Sequence, residues 1–428
     1  MALAETDARG LSFRPLAVSY AEASGAQRDL LRSILVDAGL PGLEDSAEMW
    51  TISQSTKELS YLSHGSFRFY GKFPPPIASE LIERYSHPGD TIVDSMVGSG
   101  TTLLEAVLRE RRAIGIDPNP FCCLLSKVKV TPLAAGLLRS AQDSLIEEYP
   151  GVVADRSTWE PLIPKMRGMD HWFFEPTQRE LAAIRRCIEI VADSCGIDVA
   201  NLFRVAFASI VRPVSRAGSA TGRQFLDKTA RHEPVLPVFL KRLDQLIRMN
   251  QELGHATSPA AEVRVVQADA RSELGLEGIG DLVISHPPYF NLYNFASIYR
   301  FEIAWLGYDY SQVRQGEVRD GFKMAKTELL PGYLEDMRKV METNRHLARH
   351  DGKVCVMMGD AIIHGSRVQV VRPFIQASER LGFQLERIAL REPRFTEATW
   401  ATALRRSRDD LGVKLFDFVM VFSDGGSC

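Results

Sequence analysis

Two stretches of this chain carry residue types and spacings that could do chemistry. The first runs from Asp90 to Pro120, with Ile92 and Val93 leading into Asp94. It holds an acidic residue, a turn Val97-Gly98-Ser99-Gly100-Thr101-Thr102, an apolar helical face over Leu103 to Leu108, and a short apolar run, Ala113 to Ile116, before Asp117. This reads as strand, glycine turn, helix, strand, with a carboxylate at the tip of each strand. A glycine turn brings backbone close to a ligand, and a helix N-terminus offers N–H groups that the helix itself does not use. A carboxylate after the second strand can hold the two hydroxyls of a ribose. The unit therefore suits a nucleoside-bearing cofactor. The turn lacks the third glycine of a dinucleotide fingerprint and the lysine of a Walker loop, which argues against NAD, FAD and nucleoside triphosphate chemistry. The second stretch is Asp281 to Phe295, DLVISHPPYFNLYNF, an apolar strand ending in Ser285-His286-Pro287-Pro288-Tyr289.

Taken together, the two stretches resemble the amino-methyltransferases, which move a methyl group from S-adenosylmethionine to an exocyclic amine of a base. The resemblance is closest to bacterial DNA methyltransferases of the N4-cytosine and N6-adenine group, and covers roughly residues 60–130 and 262–423. It implies an α/β fold: a Rossmann-like class I methyltransferase mixed sheet with helices on both faces, here with an inserted, mainly helical lobe. It implies that S-adenosylmethionine lies along Asp94, Val97, Gly98, Ser99, Gly100, Thr101, Thr102, Asp117, Pro118, Asn119 and Ser285. The residues just after Asp117 lie against the adenine ring in that family, through Asn119 or Pro120. Asp269, beyond the strand Val263 to Val266, matches the acid that accepts from the adenine amine. Lys72 and Phe73, before Pro74, match a segment that closes over the methionine end. The motif order, with the glycine turn ahead of Pro-Pro-Tyr, resembles a less common, permuted branch.

The amine of cytosine or adenine is a poor nucleophile, because its lone pair is delocalised into the ring. Acceptors placed around its N–H groups favour pyramidal nitrogen. The carbonyl of Pro287 is one such acceptor, since the proline that follows has no N–H. Tyr289 offers a ring on which an extruded base can stack. The residue before the prolines is Ser, Asp or Asn in the family; here it is His286, which accepts one hydrogen bond only when neutral. Activity is therefore expected to fall below about pH 6. Ser285-x-Pro-Pro-Tyr and Trp305-Leu306-Gly307 resemble the cytosine-N4 branch, so the reading is a DNA cytosine-N4 methyltransferase. N6-adenine and RNA base amines are the alternatives, and a binding protein with a decayed site is a third. The implied partner is double-stranded DNA with the target base flipped, with room for a cognate restriction endonuclease. The oligomer is open between monomer and homodimer, and the transfer needs no metal.

The elements that must position these residues can be read around them. The chain has 428 residues, a formal charge of −3 and 45% apolar residues, enough for a large α/β domain plus a second lobe. The near-neutral charge neither supports nor excludes a nucleic-acid partner. Six scattered cysteines without zinc spacing, and no apolar stretch of bilayer length, fit a cytoplasmic, nucleoid-associated protein without a membrane role. Residues 1–60 read as a helical extension with a helix from Ala26 to Ala38 and a disordered first dozen residues. Residues 61–130 and 262–428 read as the methyltransferase domain, and 131–261 as the inserted lobe. Within the lobe, Tyr149 to Gly168 reads as a linker, and Thr177 with Glu180 as the capping box of a helix that runs to Cys195. A basic, glycine-rich loop with Arg212, Arg216, Arg223, Lys228 and Arg231 is suited to phosphate contact. The polar stretch Gly307 to Lys326, with Arg314, Arg319 and Lys323, reads as irregular and as ordering on binding. The segment Arg391 to Asp410 is basic too, with Arg394, Arg405, Arg406 and Arg408. His64 and His171 read as ordinary hydrogen-bonded residues.

Overall fold

A computed structural model describes residues 13–218, 224–258, 262–290, 294–318, 327–364, 366–393, 407–408 and 413–425. The expected disorder of the first dozen residues lies outside them, as do Arg223, Arg319, Lys323, Arg394, Arg405, Arg406 and the side chain of Arg408.

In chain order the strands are β1 (Leu16–Ser19), β2 (Ala47–Thr51), β3 (Thr91–Asp94), β4 (Arg112–Asp117), β5 (Val263–Gln267), β6 (Gly280–Ser285), β7 (Ala348–Gly359), β8 (Ala361–Ile363), β9 (Ser366–Val368), β10 (Phe383–Arg391), β11 (Ser407–Arg408), β12 (Val413–Lys414) and β13 (Asp417–Asp424). Nine of them make one sheet, ordered β1-β2-β10-β13-β7-β6-β3-β4-β5, while β8 pairs with β9 and β11 with β12. From β7 to β5 the strands are parallel, and β13 runs antiparallel between β7 and β10. Side chains alternate across the sheet as strand geometry requires. Ile92, Leu282, Ile284, Cys355 and Met357 enter one core, with the helices Pro75–Tyr85 and Thr101–Leu108. Val93, Val283, Val354, Val356 and Met358 enter the other, with the helices Gly25–Asp37, Leu330–Leu347 and Val371–Arg380. The fold is thus the expected Rossmann-like mixed sheet with helices on both faces.

A third core belongs to the lobe, built mainly on the helices Ala135–Ala154, Glu175–Cys195, Ile197–Val211 and Val235–Ala256. It is continuous with the helix Pro120–Val130 through Phe121 and Leu125, and with the helix Arg300–Trp305 through Phe301 and Trp305. Trp305 is fully buried, so truncating it should cost about 3–5 kcal/mol.

Several local expectations need correction. The N-terminal segment is more than a helix: β2 pairs in parallel with β10, and β1 with β2, so it widens the sheet by two strands. The stretch read as a linker from Tyr149 begins inside a helix, which carries Pro150 in its interior and ends at Ala154. The capping box at Thr177 and Glu180 does not form, because the helix starts earlier, at Glu175. Thr177 Oγ1 lies 3.0 Å from His232 Nδ1, and Glu180 Oε2 accepts from Val235 N at 2.7 Å, so both residues fasten the start of the last lobe helix. Tyr310–Gly316, read as irregular, is helical with Asp309 as its N-cap.

Candidate active site

The sheet order explains why two stretches nearly 200 residues apart meet. β3 lies between β4 and β6, all parallel, so the chain turns to opposite sides at the carboxyl ends of β3 and β6. A crevice opens where an α/β sheet reverses its winding in this way. The glycine turn follows β3 and the His-Pro-Pro-Tyr turn follows β6, and both line one cleft of about 180 Å³. Lys72, Phe73, Asp94, Val97, Gly98, Ser99, Thr101, Asp117, Pro118, Asn119, Asp269 and His286 to Tyr289 all border it.

Gly98 N donates to Asp117 Oδ2 at 3.0 Å and Asn119 N to Asp117 Oδ1 at 2.9 Å, so the acid at the tip of β4 holds the turn after β3. Met96 N donates to Asp94 Oδ1 at 3.0 Å. Burial pushes the carboxyls of Asp94 and Asp117 up to about 6. Two acids are therefore kept close in a cleft that disfavours their charge, an arrangement that a cationic or hydrogen-bonding ligand relieves. Gly100 has φ +78°, and a Cβ there would stand 2.7 Å from the Ser126 Cα. Backbone packs where a side chain would be, and the helix Thr101–Leu108 starts close under the turn.

Asp269 is held by Arg271. Its Oδ2 accepts from Arg271 Nη2 at 2.7 Å, and its Oδ1 from Arg271 Nε at 3.0 Å and Arg271 N at 2.9 Å. Burial opposes the charge, but the guanidinium holds the Asp269 carboxyl below its usual range. The same guanidinium donates to Asp336 Oδ2 at 3.1 Å, Gly316 O at 3.0 Å and Glu317 O at 3.2 Å. Gly316, Glu317 and Val318 form one wall of the cleft, and a Cβ on Gly316 would lie 2.9 Å from Pro118 Cβ. Sequence reasoning missed this wall and its clamp. The one available signal was the glycine at 316, which a polar stretch hides.

At the other wall, His286 stacks on Phe73 with ring centroids 5.0 Å apart at 24°, and meets Tyr289 edge-on at 5.4 Å. Tyr333 OH donates to Pro288 O at 2.9 Å, tying the turn to the helix Leu330–Leu347. Lys72 borders the cleft, yet its Nζ donates to His64 O at 2.9 Å, and burial lowers its pKa to about 8. His64 in turn pairs through Nε2 with Glu105 Oε1 at 2.7 Å. No group of three His, Cys, Asp or Glu residues among the described residues could hold a metal ion.

Other expected residues stand elsewhere. Gly100, Thr102 and Ser285 do not border the cleft: Gly100 packs on Ser126, while Thr102 and Ser285 are fully buried. Pro120 opens its helix outside the cleft, which leaves Pro118 and Asn119 on the wall. The basic loop divides. Arg212 is buried, hydrogen-bonded to Ile298 O and paired with Glu302, and Arg216 lies over the Phe174 ring at 5.0 Å. Those two hold the lobe together, which corrects their expected phosphate role, whereas Lys228 and Arg231 are exposed. Arg391 is also buried, in the cleft wall beside Asp417 at 3.1 Å.

Fold and site define an architecture: a Rossmann-like mixed sheet in which a glycine turn after β3 and a His-Pro-Pro-Tyr turn after β6 share one cleft, of a kind suited to a nucleoside-bearing cofactor such as S-adenosylmethionine. The residues present fit that group, with two carboxylates, a turn tight against helix backbone and an apolar-aromatic wall in one cleft. Residues 23–128 match a family model described as DNA methylase. Type II methyltransferase M.MjaII of Methanocaldococcus jannaschii is 40% identical over 76 residues, 18% of this chain and 14% of that protein. Type II methyltransferase M.MvaI of Kocuria varians is 27% identical over 256 residues, 56% of this chain and 55% of that protein. The chain therefore spans little more than half the length of the second relative and far less of the first. A solved TehB-like SAM-dependent methyltransferase from Corynebacterium glutamicum aligns over 85% of this chain and 92% of its own, at 11% identity and a TM-score of 0.30. No helix among the described residues is long and apolar enough to cross a membrane.

Proposed function

We propose that this protein transfers a methyl group from S-adenosylmethionine to the N4 amine of cytosine in double-stranded DNA, with the target base turned out of the helix. The observation that carries the reading is the single cleft shared by the glycine turn after β3 and the His-Pro-Pro-Tyr turn after β6. The DNA methylase match and the two type II methyltransferases support it. The choice of cytosine rests on Ser285-x-Pro-Pro-Tyr and Trp305-Leu306-Gly307.

Bound S-adenosylmethionine supplies a methyl group on a sulfonium, open to attack by a lone pair. Asp117 accepts the ribose hydroxyls, Asp94 faces the cationic methionine end, and Pro118 with Asn119 flanks the adenine. Asp269, oriented by Arg271, accepts from the adenine amine. His286 and the carbonyl of Pro287 accept the two N–H bonds of the target amine, which turns its lone pair toward the methyl. His286 takes the proton that the nitrogen loses as the N–C bond forms. Tyr333 keeps the turn rigid by holding Pro288 O, and Tyr289 stacks on the base. Fixed acceptors in a site that excludes water supply most of the gain. Lys228 and Arg231 contact phosphates.

Arg271→Ala is expected to raise the dissociation constant of S-adenosylmethionine about tenfold, because it frees Asp269 and the Gly316–Val318 wall together; charge-assisted hydrogen bonds are worth about 1.5–3 kcal/mol. Calorimetric titration checks it. The function is tested by incubating the protein with mixed-sequence duplex DNA and methyl-labelled cofactor, then identifying the labelled nucleoside by mass. N4-methylcytosine is the expected product. N6-methyladenine would move the target, label in RNA alone would change the substrate, and bound cofactor without transfer would count against catalysis.

A further inference from the structure

A second cavity, of about 490 Å³, lies behind the cleft, and the two share Phe69, Lys72, Phe73 and Pro74 as a common wall. It opens between the segment before the glycine unit, the lobe helices and the start of the helix Arg300–Trp305. Among the polar side chains that border it, three are buried: Arg212, 8% exposed, Glu302, 3%, and His64, 1%. Arg212 Nη1, Glu302 Oε2 and His64 Nδ1 have no hydrogen-bond partner among the described residues. Arg212 Nε and Glu302 Oε1 stand 3.6 Å apart, beyond hydrogen-bond reach. Burying such groups without a partner is costly. Each of these atoms is closed off from water-sized space, so turning its side chain toward the cavity exchanges an unsatisfied group for one that an occupant completes.

We propose that this cavity holds a second nucleotide of the substrate strand, beside the flipped target; the assignment rests on the function proposed above. A guanidinium next to a carboxylate offers a donor beside an acceptor, the complement of a nucleobase edge. Phe67, only partly buried, lines the same cavity and supplies an aromatic surface against which a base packs. Arg68 is exposed at the border with its guanidinium 5.6 Å over the Tyr70 ring, where a phosphate can reach it. The shared wall places this nucleotide next to the target, so the lobe reads the strand from inside the protein as well as from its surface.

The test uses the full chain saturated with S-adenosylhomocysteine. Binding of each of the four deoxynucleoside monophosphates is measured by equilibrium dialysis, and binding of a labelled mixed-sequence duplex by fluorescence anisotropy. Ser209 borders the cavity from the lobe helix and takes no part in the cleft. Ser209→Trp, which fills the cavity, is expected to weaken mononucleotide binding at least tenfold and duplex binding at least fivefold. Ser209→Ala should change either less than twofold, and S-adenosylhomocysteine affinity should stay within twofold throughout. Arg68→Gln, an exposed change that cannot unsettle the core, should weaken duplex binding about threefold. The duplex should displace the mononucleotide. The proposal is overturned if the wild type holds no mononucleotide at millimolar concentration, or if Ser209→Trp holds it undiminished. It is also overturned if mononucleotide and duplex stay bound together, which would mark a site for a free nucleotide. Absence of methyl transfer to DNA strikes the function proposal instead, and the dialysis still reports on the cavity.

Discussion

His286→Ala is expected to lower kcat by about a hundredfold or more while cofactor affinity changes less than threefold. The imidazole is the side chain at the head of the Pro-Pro-Tyr turn, held by the Phe73 ring on one side and the Tyr289 edge on another. Its loss removes one acceptor for the amine and the group that takes its proton, and a positioned base of this kind contributes about 10²–10⁴-fold. His286→Ser, which restores an acceptor without a base, should recover part of the rate. The pH profile separates the roles. Protonated imidazole cannot accept, so the wild-type kcat falls on the acid side below about pH 6. That limb should vanish from kcat in His286→Ser. Equal kcat in the wild type and His286→Ala, measured with saturating substrates, would remove His286 from the chemistry.

Asp94→Asn is expected to make the protein more stable and a worse cofactor binder at once. Burial raises the Asp94 carboxyl from 3.8 to about 6 in the folded protein. The folded state therefore holds that proton more tightly than the unfolded chain. Charged Asp94 opposes folding at neutral pH, and the opposition fades as pH falls from about 6 toward 4. That change in proton affinity corresponds to roughly 3 kcal/mol at most. Asparagine keeps an acceptor for Met96 N–H and carries no charge. Unliganded Asp94→Asn should thus be about 1–3 kcal/mol more stable at pH 7.5, with the difference gone near pH 4. Its affinity for S-adenosylmethionine should fall at least tenfold, since the carboxylate facing the cationic end is lost. Denaturation at both pH values and calorimetric titration measure the two effects. A variant less stable than wild type at pH 7.5 would show that the charge is compensated within the fold.

How much of this was readable from residue order depends on how local the signal is. The turn at Gly98 to Gly100 and the acids Asp94 and Asp117 lie within one βαβ unit, and the prolines after β6 mark their own turn, so the heart of the cleft was legible. β1 and β2 were not: Leu16–Ser19 and Ala47–Thr51 are four and five residues long, and the pairing of β2 with β10, on which β1 then adds, is decided by residues beyond 380. The burial of Arg212 was hidden too, because its partner Glu302 is far along the chain and arginine in a glycine-rich loop ordinarily faces water. The Gly316–Val318 wall escaped because its shape comes from Arg271, which joins three distant elements.

The sheet order sets a timetable for folding. β5 cannot pair with β4 until the whole lobe between them has been synthesised, and β2 cannot find β10 until residue 388 is available. Contacts so far apart in the chain are costly to close and form late. The lobe helices, packed mostly against near neighbours in sequence, can collapse first and bring the ends of β4 and β5 together. β13 then enters between β7 and β10 after both of these neighbours have been made. Until it does, two long apolar strand edges stand open, and nascent chains that stall before residue 417 should be the ones that aggregate.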